Sequence, residues 1–214
     1  MHSAGGVESI EIERKYEIPE GAMLPDAAAF AAEGLVLLPE QVLHIRAEYF
    51  DTPDLRLGQQ RIALRRRSGG VDDGWHIKEK REESARELWW EAAEELPIEL
   101  RAVLSERIGA VQVDRLIPIA TLNTERRARL VTEVGREEVA LVELADDRVD
   151  SRNALTETGA QWREWEAELL PGIDASRLDA VEVLLARAGA VRVRGLSKIQ
   201  RTMQLGTGEM RLNA

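Results

Sequence analysis

Residues 7–18 read VESIEIERKYEI, and residues 163–170 read REWEAELL. Both stretches alternate polar and apolar side chains with a period of two, which predicts strands. Successive side chains of a strand point to opposite faces. In the first stretch Glu11, Glu13, Lys15 and Glu17 therefore share one face. Ile10, Ile12, Tyr16 and Ile18 share the other, interrupted by Arg14. In the second, Glu164, Glu166 and Glu168 stand opposite Trp165, Ala167 and Leu169. Each strand thus offers one carboxylate-rich face and one face suited to a core.

Other segments repeat this division with different charges. Arg61, Arg65 and Arg67 share a face backed by Ile62 and Leu64, and His76, Lys78 and Lys80 share one backed by Trp75 and Ile77. Glu143, Ala145 and Asp147 share a further face. An antiparallel sheet with one solvated face is common, but these charges sort by sign from strand to strand. If such a sheet closes into a barrel with its charged faces inward, the interior is costly without a compensating ligand. A polyphosphate bound with metal ions supplies that compensation.

Between these strands the chain alternates strand-like and helix-like segments. Short helices are expected at Pro25–Glu33, Pro97–Ile108, from Asp174 or Ser176 to Ala188, and from near Ser197. Further strands are expected at Arg46–Phe50, Arg86–Ala92, Ile119–Asn123, Arg126–Val134 and Glu138–Asp146. Strands dominate and most neighbours are hairpin-like, so the fold class is α+β on an antiparallel sheet. Trp75, Trp165 and one of Trp89 and Trp90 are expected beneath helices on the outside. His44 and His76 read as structural or exposed. No repeat or low-complexity linker divides the 214 residues, which suit one domain over 1–214.

Composition narrows the function. The net charge is -10, which disfavours broad nucleic-acid binding. No apolar run is long enough to cross a membrane, and Met1–Val7 lacks a leader pattern. The chain contains no cysteine, excluding disulfides and thiolate metal sites and pointing to the cytoplasm. His2, His44 and His76 are scattered, which argues against a histidine-rich zinc site.

Several motifs fall in one order along the chain. Glu11-Ile12-Glu13-Arg14-Lys15 resembles the ExExK signature of the CYTH family, the triphosphate tunnel metalloenzymes. Tyr49-Phe50-Asp51-Thr52-Pro53-Asp54, Ala63-Leu64-Arg65-Arg66-Arg67 and Trp75-His76-Ile77-Lys78 are similar to later family segments. So are Glu143-Leu144-Ala145-Asp146-Asp147, Glu164-Trp165-Glu166-Ala167-Glu168-Leu169 and Ser197-Lys198. The matches run from about residue 8 to residue 201.

The resemblance implies a closed eight-stranded antiparallel barrel with helices packed outside. It implies a linear triphosphate substrate, inorganic or organic, and Mg²⁺ or Mn²⁺ as cofactor. Family activities include inorganic, thiamine and nucleoside triphosphatases and a class of adenylate cyclase. Bacterial members are often joined to a CHAD domain associated with polyphosphate. Val142–Val149 and Ser197–Arg201 look most like those fused members, so the chain is a stand-alone CYTH protein or part of a longer one.

Carried onto this sequence, Lys15, Arg65, Arg67, Lys78, Arg126, Lys198 and Arg201 are expected to bind phosphate. Arg offers bidentate contacts and Lys a point charge. Glu11, Glu13, Glu166 and Glu168, supported by Asp147 and Glu164, are the expected metal ligands, since Mg²⁺ prefers oxygen. Glu11, Glu13, Lys15 and Glu166 are the expected catalytic set. The function implied is phosphate release from a triphosphate by water attack. An adenylate cyclase or a non-enzymatic polyphosphate-binding module is the alternative. Two departures stand out: Glu79-Lys80-Arg81 follows Lys78 where Leu-Pro or a similar pair is usual, and Asn123 and Glu125 replace more basic residues, leaving the grip there to Arg126 or Arg127.

Overall fold

The alternation in residues 7–18 does produce strands, but two of them. In the computed structural model, which describes residues 6–205, β1 (Val7–Glu11) and β2 (Glu13–Glu17) are separated by Ile12. β1 pairs antiparallel with β7 (Ala85–Glu91), whereas β2 pairs with β10 (Gly159–Leu169). One continuous segment therefore serves two parts of the sheet, and the break at Ile12 is where it changes from one to the other. The Ile12 carbonyl accepts a bond from the Leu169 N–H at 2.9 Å.

The rest of the sheet runs through β4 (Gln41–Asp51), β5 (Ile62–Ser68), β6 (Gly74–Lys80), β8 (Ile117–Glu133) and β9 (Val142–Asn153). The order is β1-β7-β6-β5-β4-β8-β9-β10-β2-β11, with β11 spanning Val191–Val193. β3 (Leu35–Leu37) pairs with β8 off that path. The expected closed ring of eight strands is corrected accordingly: eleven strands form one sheet, and its hydrogen-bonded path ends at β1 and β11 without closing. The two short strands β3 and β11 carry no long alternation, which is why the sequence pattern missed them. The two strands expected at Ile119–Asn123 and Arg126–Val134 are a single strand, β8.

Six helices are present among the described residues: α1 (Ala27–Ala32), α2 (Arg56–Gln59), α3 (Ile98–Ile108), α4 (Ala110–Val113), α5 (Arg177–Arg187) and α6 (Lys198–Met203). None is long and apolar enough to cross a membrane. Most of the Met1–Val7 stretch and the ends of the expected 1–214 domain lie outside the described residues.

Helices cover the apolar strand faces. Leu178, Val181, Leu184 and Leu185 of α5 pack on Tyr16, Leu144 and Trp165. Burying each such side chain contributes roughly 1.5–3 kcal/mol. Leu100, Leu104 and Ile108 of α3 pack on Ile77, Trp75 and Trp90. Arg14, which interrupts the apolar face of β2, is explained by α5: it donates to Asp179 at 2.6 Å and Glu182 at 2.8 Å. Asp51 of the YFDTPD stretch is buried and accepts backbone N–H groups from Thr52, Leu57 and Gly58 at 2.7–2.9 Å. Its role is to cap the turn into α2.

Candidate active site

Register decides which charges meet. β9 and β10 set Asp147 opposite Glu164 and Glu143 opposite Glu168. β10 and β2 set Glu166 opposite Lys15 and Glu168 opposite Glu13. β8 sets Arg126 opposite Asp147. All these side chains share the sheet face that α3 and α5 do not cover. Asp147, Glu164 and Glu166 are buried, and an oxygen from each lies within 4.8 Å of the others.

Three buried carboxylates at this range repel unless cations offset them. Lys198 Nζ lies 2.9 Å from Asp147, 2.7 Å from Glu164 and 2.6 Å from Glu166. Arg126 grips Asp147 with Nε and Nη2 at 2.9 and 2.7 Å, and also reaches Glu166 at 2.7 Å and Glu143 at 3.2 Å. Lys15 pairs with Glu166 and, at 3.4 Å, with Glu13. Burial pushes the Glu166 carboxyl up, but Lys15, Lys198 and Arg126 outweigh it and hold it well below the usual range. Burial lowers the Lys198 ammonium, and Glu166, Asp147 and Glu164 together hold it well above its ordinary value.

The Ser197-Lys198 pair has a local explanation. Ser197 accepts from the Gln200 N–H at 3.3 Å, and Gln200 accepts from the Ser197 N–H at 3.0 Å. This capping box starts α6 at Lys198. Ile199 and Met203 of α6 pack against a cluster formed by Ala47, Tyr49, Leu122 and Val149. A helix from far along the chain thus delivers Lys198 to the sheet.

A second acidic group lies beside it. Lys78 pairs with Glu11 and, at 3.4 Å, with Glu13. Burial and a hydrogen bond shared with Glu87 raise the Glu11 carboxyl to about 8, against the pull of Lys78. Burial raises Glu168 to about 7, opposed by Lys78 and reinforced by Glu13, Glu143 and Glu166.

The basic region sits on β5 and β6. Arg65 donates to Glu87 at 2.9 Å, and Arg67 donates to Asp72 at 2.6 Å. Nε of both arginines is buried without a hydrogen-bond partner among the described residues. Burial and then the charge of Arg65 lower the Arg67 guanidinium; Asp72 opposes and Arg126 adds to the lowering. Each guanidinium thus has one carboxylate partner and keeps a buried Nε–H without one, a donor open to an anion.

The sequence-predicted residues divide among these groups. Lys15, Arg126, Lys198, Asp147, Glu164 and Glu166 converge. Glu11, Glu13 and Glu168 surround Lys78, although they were expected as principal ligands; the three closest carboxylates instead include both supporting residues. Arg65 and Arg67 stand on the basic region. Arg201 does not join the cluster: its guanidinium stacks on Trp162 at 4.6 Å. Arg61 departs from its expected face: it precedes β5 with a φ of 59°. Lys80, at the end of β6, reaches the Gly195 carbonyl at 3.2 Å. Glu87 was missed. Its signal was the Ala85, Glu87, Trp89 alternation, which sets Glu87 opposite Lys78.

The all-oxygen donor set of Asp147, Glu164 and Glu166 fits Mg²⁺ or Mn²⁺. A cation, the Lys198 ammonium, already sits among these oxygens, and Glu164 Oε1 contacts it without hydrogen-bond geometry. The place is therefore built for positive charge but not fully satisfied by an ammonium.

The CYTH domain family model matches residues 9–203. Two Mycobacterium tuberculosis proteins, Rv2226 of strain H37Rv and MT2285 of strain CDC 1551, both described as uncharacterized, are 33% identical over 214 residues. The match covers 91% of this chain and 40% of each relative, so the chain spans about two fifths of their length. Among solved structures, a candidate adenylate cyclase from Bacillus halodurans aligns with a TM-score of 0.54 at 18% identity, covering 91% of this chain and 97% of its own. A candidate adenylyl cyclase from Hippeastrum, described as revealing a dominant triphosphatase activity, aligns at 0.53 and 16% identity, covering 92% and 96%. These two likenesses concern the fold.

Proposed function

The chain belongs to the CYTH domain family, and from that premise we propose a divalent-metal-dependent triphosphatase that releases phosphate from inorganic triphosphate or a related compound. The observation that carries this reading is the meeting of buried carboxylates and cations on one sheet face, beside two arginines whose buried Nε–H groups have no partner among the described residues. The strands of this sheet are read as the wall of a tunnel. In support, Lys78 of β6 and Glu13 of β2 lie near opposite ends of the pairing order yet come within 3.4 Å. The chain is read as one CYTH domain over 1–214. The greater length of the mycobacterial relatives leaves room for a partner domain, for which CHAD is proposed.

In this reading Lys15, Arg65, Arg67, Lys78, Arg126 and Lys198 bind the phosphates, and Arg201 waits at the rim on Trp162. Asp147, Glu164 and Glu166 hold the metal, joined by Glu11, Glu13 and Glu168 where a second ion binds. When bound, the metal neutralises phosphate charge and activates water. The side chains orient the terminal phosphorus for in-line attack, so catalysis rests on positioning and charge neutralisation. No covalent nucleophile is invoked.

The test is metal-dependent phosphate release from inorganic triphosphate, ATP and thiamine triphosphate in parallel, with assay for cyclic AMP. Release of phosphate that needs Mg²⁺ or Mn²⁺ is the expected result. Cyclic AMP without phosphate release moves the chain to the cyclase reading. Tight triphosphate binding without turnover makes it a binding module.

A further inference from the structure

We propose that His76 is a positioning residue: its ring ties Glu87 to the Asp72 turn, and through these two residues it fixes both Arg65 and Arg67. The inference rests on the phosphate-binding role proposed above for the two arginines. His76 lies directly opposite Arg65 in the β5–β6 register. It is 1% exposed, so both ring nitrogens need partners within the protein. The Asp72 carbonyl can only accept, so Nε2–H donates to it, at 2.9 Å. Nδ1 faces Glu87 Oε1 at 3.1 Å.

What singles out this histidine is where its partners lead. The same Glu87 Oε1 accepts from Arg65 Nη2 at 2.9 Å. Asp72 accepts from Arg67 Nη1 at 2.6 Å through its carboxylate, while its carbonyl is held by His76. Asp72 belongs to the turn between β5 and β6, which is otherwise pinned by Asp73 accepting from the Gly70 N–H at 2.8 Å. The ring is thus the common support of two carboxylate–guanidinium pairs that arise on different elements. Holding two long side chains in place before an anion arrives removes ordering cost from binding. The tie also accounts for a basic motif in which a polar ring, rather than an aliphatic side chain, is buried on β6.

The experiment is calorimetric titration with inorganic triphosphate in the presence of a chelator, on Arg65→Ala, His76→Phe, the double variant and His76→Gln. Thermal midpoints are recorded for each. Arg65→Ala is expected to weaken binding by about tenfold or more, as loss of a charge-assisted contact does. His76→Phe, which keeps ring volume and loses both bonds, is expected to weaken it by roughly fivefold. The double variant should fall short of the product of the two, because the histidine acts partly through Arg65. His76→Gln, which keeps a donor for the Asp72 carbonyl, should recover part of the loss. If Arg65→Ala binds normally, the phosphate reading itself is wrong. If Arg65→Ala is weakened but the His76→Phe loss multiplies in full, or His76→Phe binds like wild type, the positioning role is refuted. Should His76→Phe fail to fold, His76→Ala takes its place, and wild-type affinity in that variant refutes the role equally.

Discussion

The acidic region on β9 and β10 and the basic region on β5 and β6 lie on the same sheet face, but they are neutralised in opposite ways. The acidic region receives its central cation from outside the sheet, as Lys198 on the six-residue helix α6. The arginines of the basic region are held by Glu87 on the adjoining strand order and by Asp72 in the turn. On the proposed reading, the acidic region is where an incoming metal would displace a resident charge, and the basic region is a preset grip.

Neutralising Glu166 tests that division most severely. It contacts Lys15, Arg126 and Lys198 at once. Glu166→Gln is expected to lower metal-dependent phosphate release by roughly a thousandfold, as loss of a metal ligand or electrostatic stabiliser does. The same change should cost about 3–5 kcal/mol of folding stability, because buried cations lose their counter-charge. Turnover within tenfold of wild type would remove Glu166 from the catalytic group. Arg65→Ala is the matching change on the basic side, expected to raise KM by about tenfold with kcat nearly unchanged. A fall in kcat at constant KM would mean that Arg65 acts on the transition state alone.

Lys198→Met sharpens the contrast because its two effects have opposite signs. Removing the resident ammonium takes away one of the cations that compete with a divalent ion for Asp147, Glu164 and Glu166. Mn²⁺ affinity without triphosphate should rise by about tenfold while triphosphate binding weakens, since one phosphate contact is lost. Electron paramagnetic resonance of free Mn²⁺ reads the first effect directly. Unchanged Mn²⁺ affinity would show that the ion binds elsewhere.

Much of this face was legible because period-two alternation and sign sorting survive in individual strands. Glu164, Glu166 and Lys15 could be placed on a charged face from sequence, and Trp165 on the opposite one. Alternation also put Asp147 on such a face, and the motif resemblance gave it a role and added Lys198, far along the chain. What could not be read was register. Alternation gives a residue's face but not its neighbour across the ladder, so the sequence could not tell which carboxylates would converge. Asp147 meets Glu164 because β9 and β10 pair in one particular register. The break at Ile12 was equally hidden, since the alternation passes through it unchanged. Glu87 escaped because a single carboxylate among Leu88, Trp89 and Trp90 looks like an isolated surface charge until Arg65 and His76 are seen to face it.

The smallest expected effect concerns pH and again separates carboxylates by their neighbours. Glu11 and Glu168 have carboxyls raised from 4.5 to about 8 and about 7, by burial first and by nearby carboxylates. Between those values the folded chain binds more protons at these groups than the unfolded chain does. Stability therefore falls as pH rises from about 4.5 through about 8, on account of these two residues. Glu166 and Glu13 are lowered, with Lys15 the foremost of the cations that outweigh burial, so their contribution is complete above 4.5 and is lost as pH falls below it. The metal-free protein should consequently lose thermal stability between about pH 5 and about pH 8, and Glu168→Gln should flatten that loss. Because a bound ion needs these carboxylates ionised, Mn²⁺ should bind more tightly as pH rises over the same interval and release protons as it does so. Parallel melting profiles for wild type and Glu168→Gln would mean that Glu168 is ionised throughout, and its place among the ligands would then carry no proton cost.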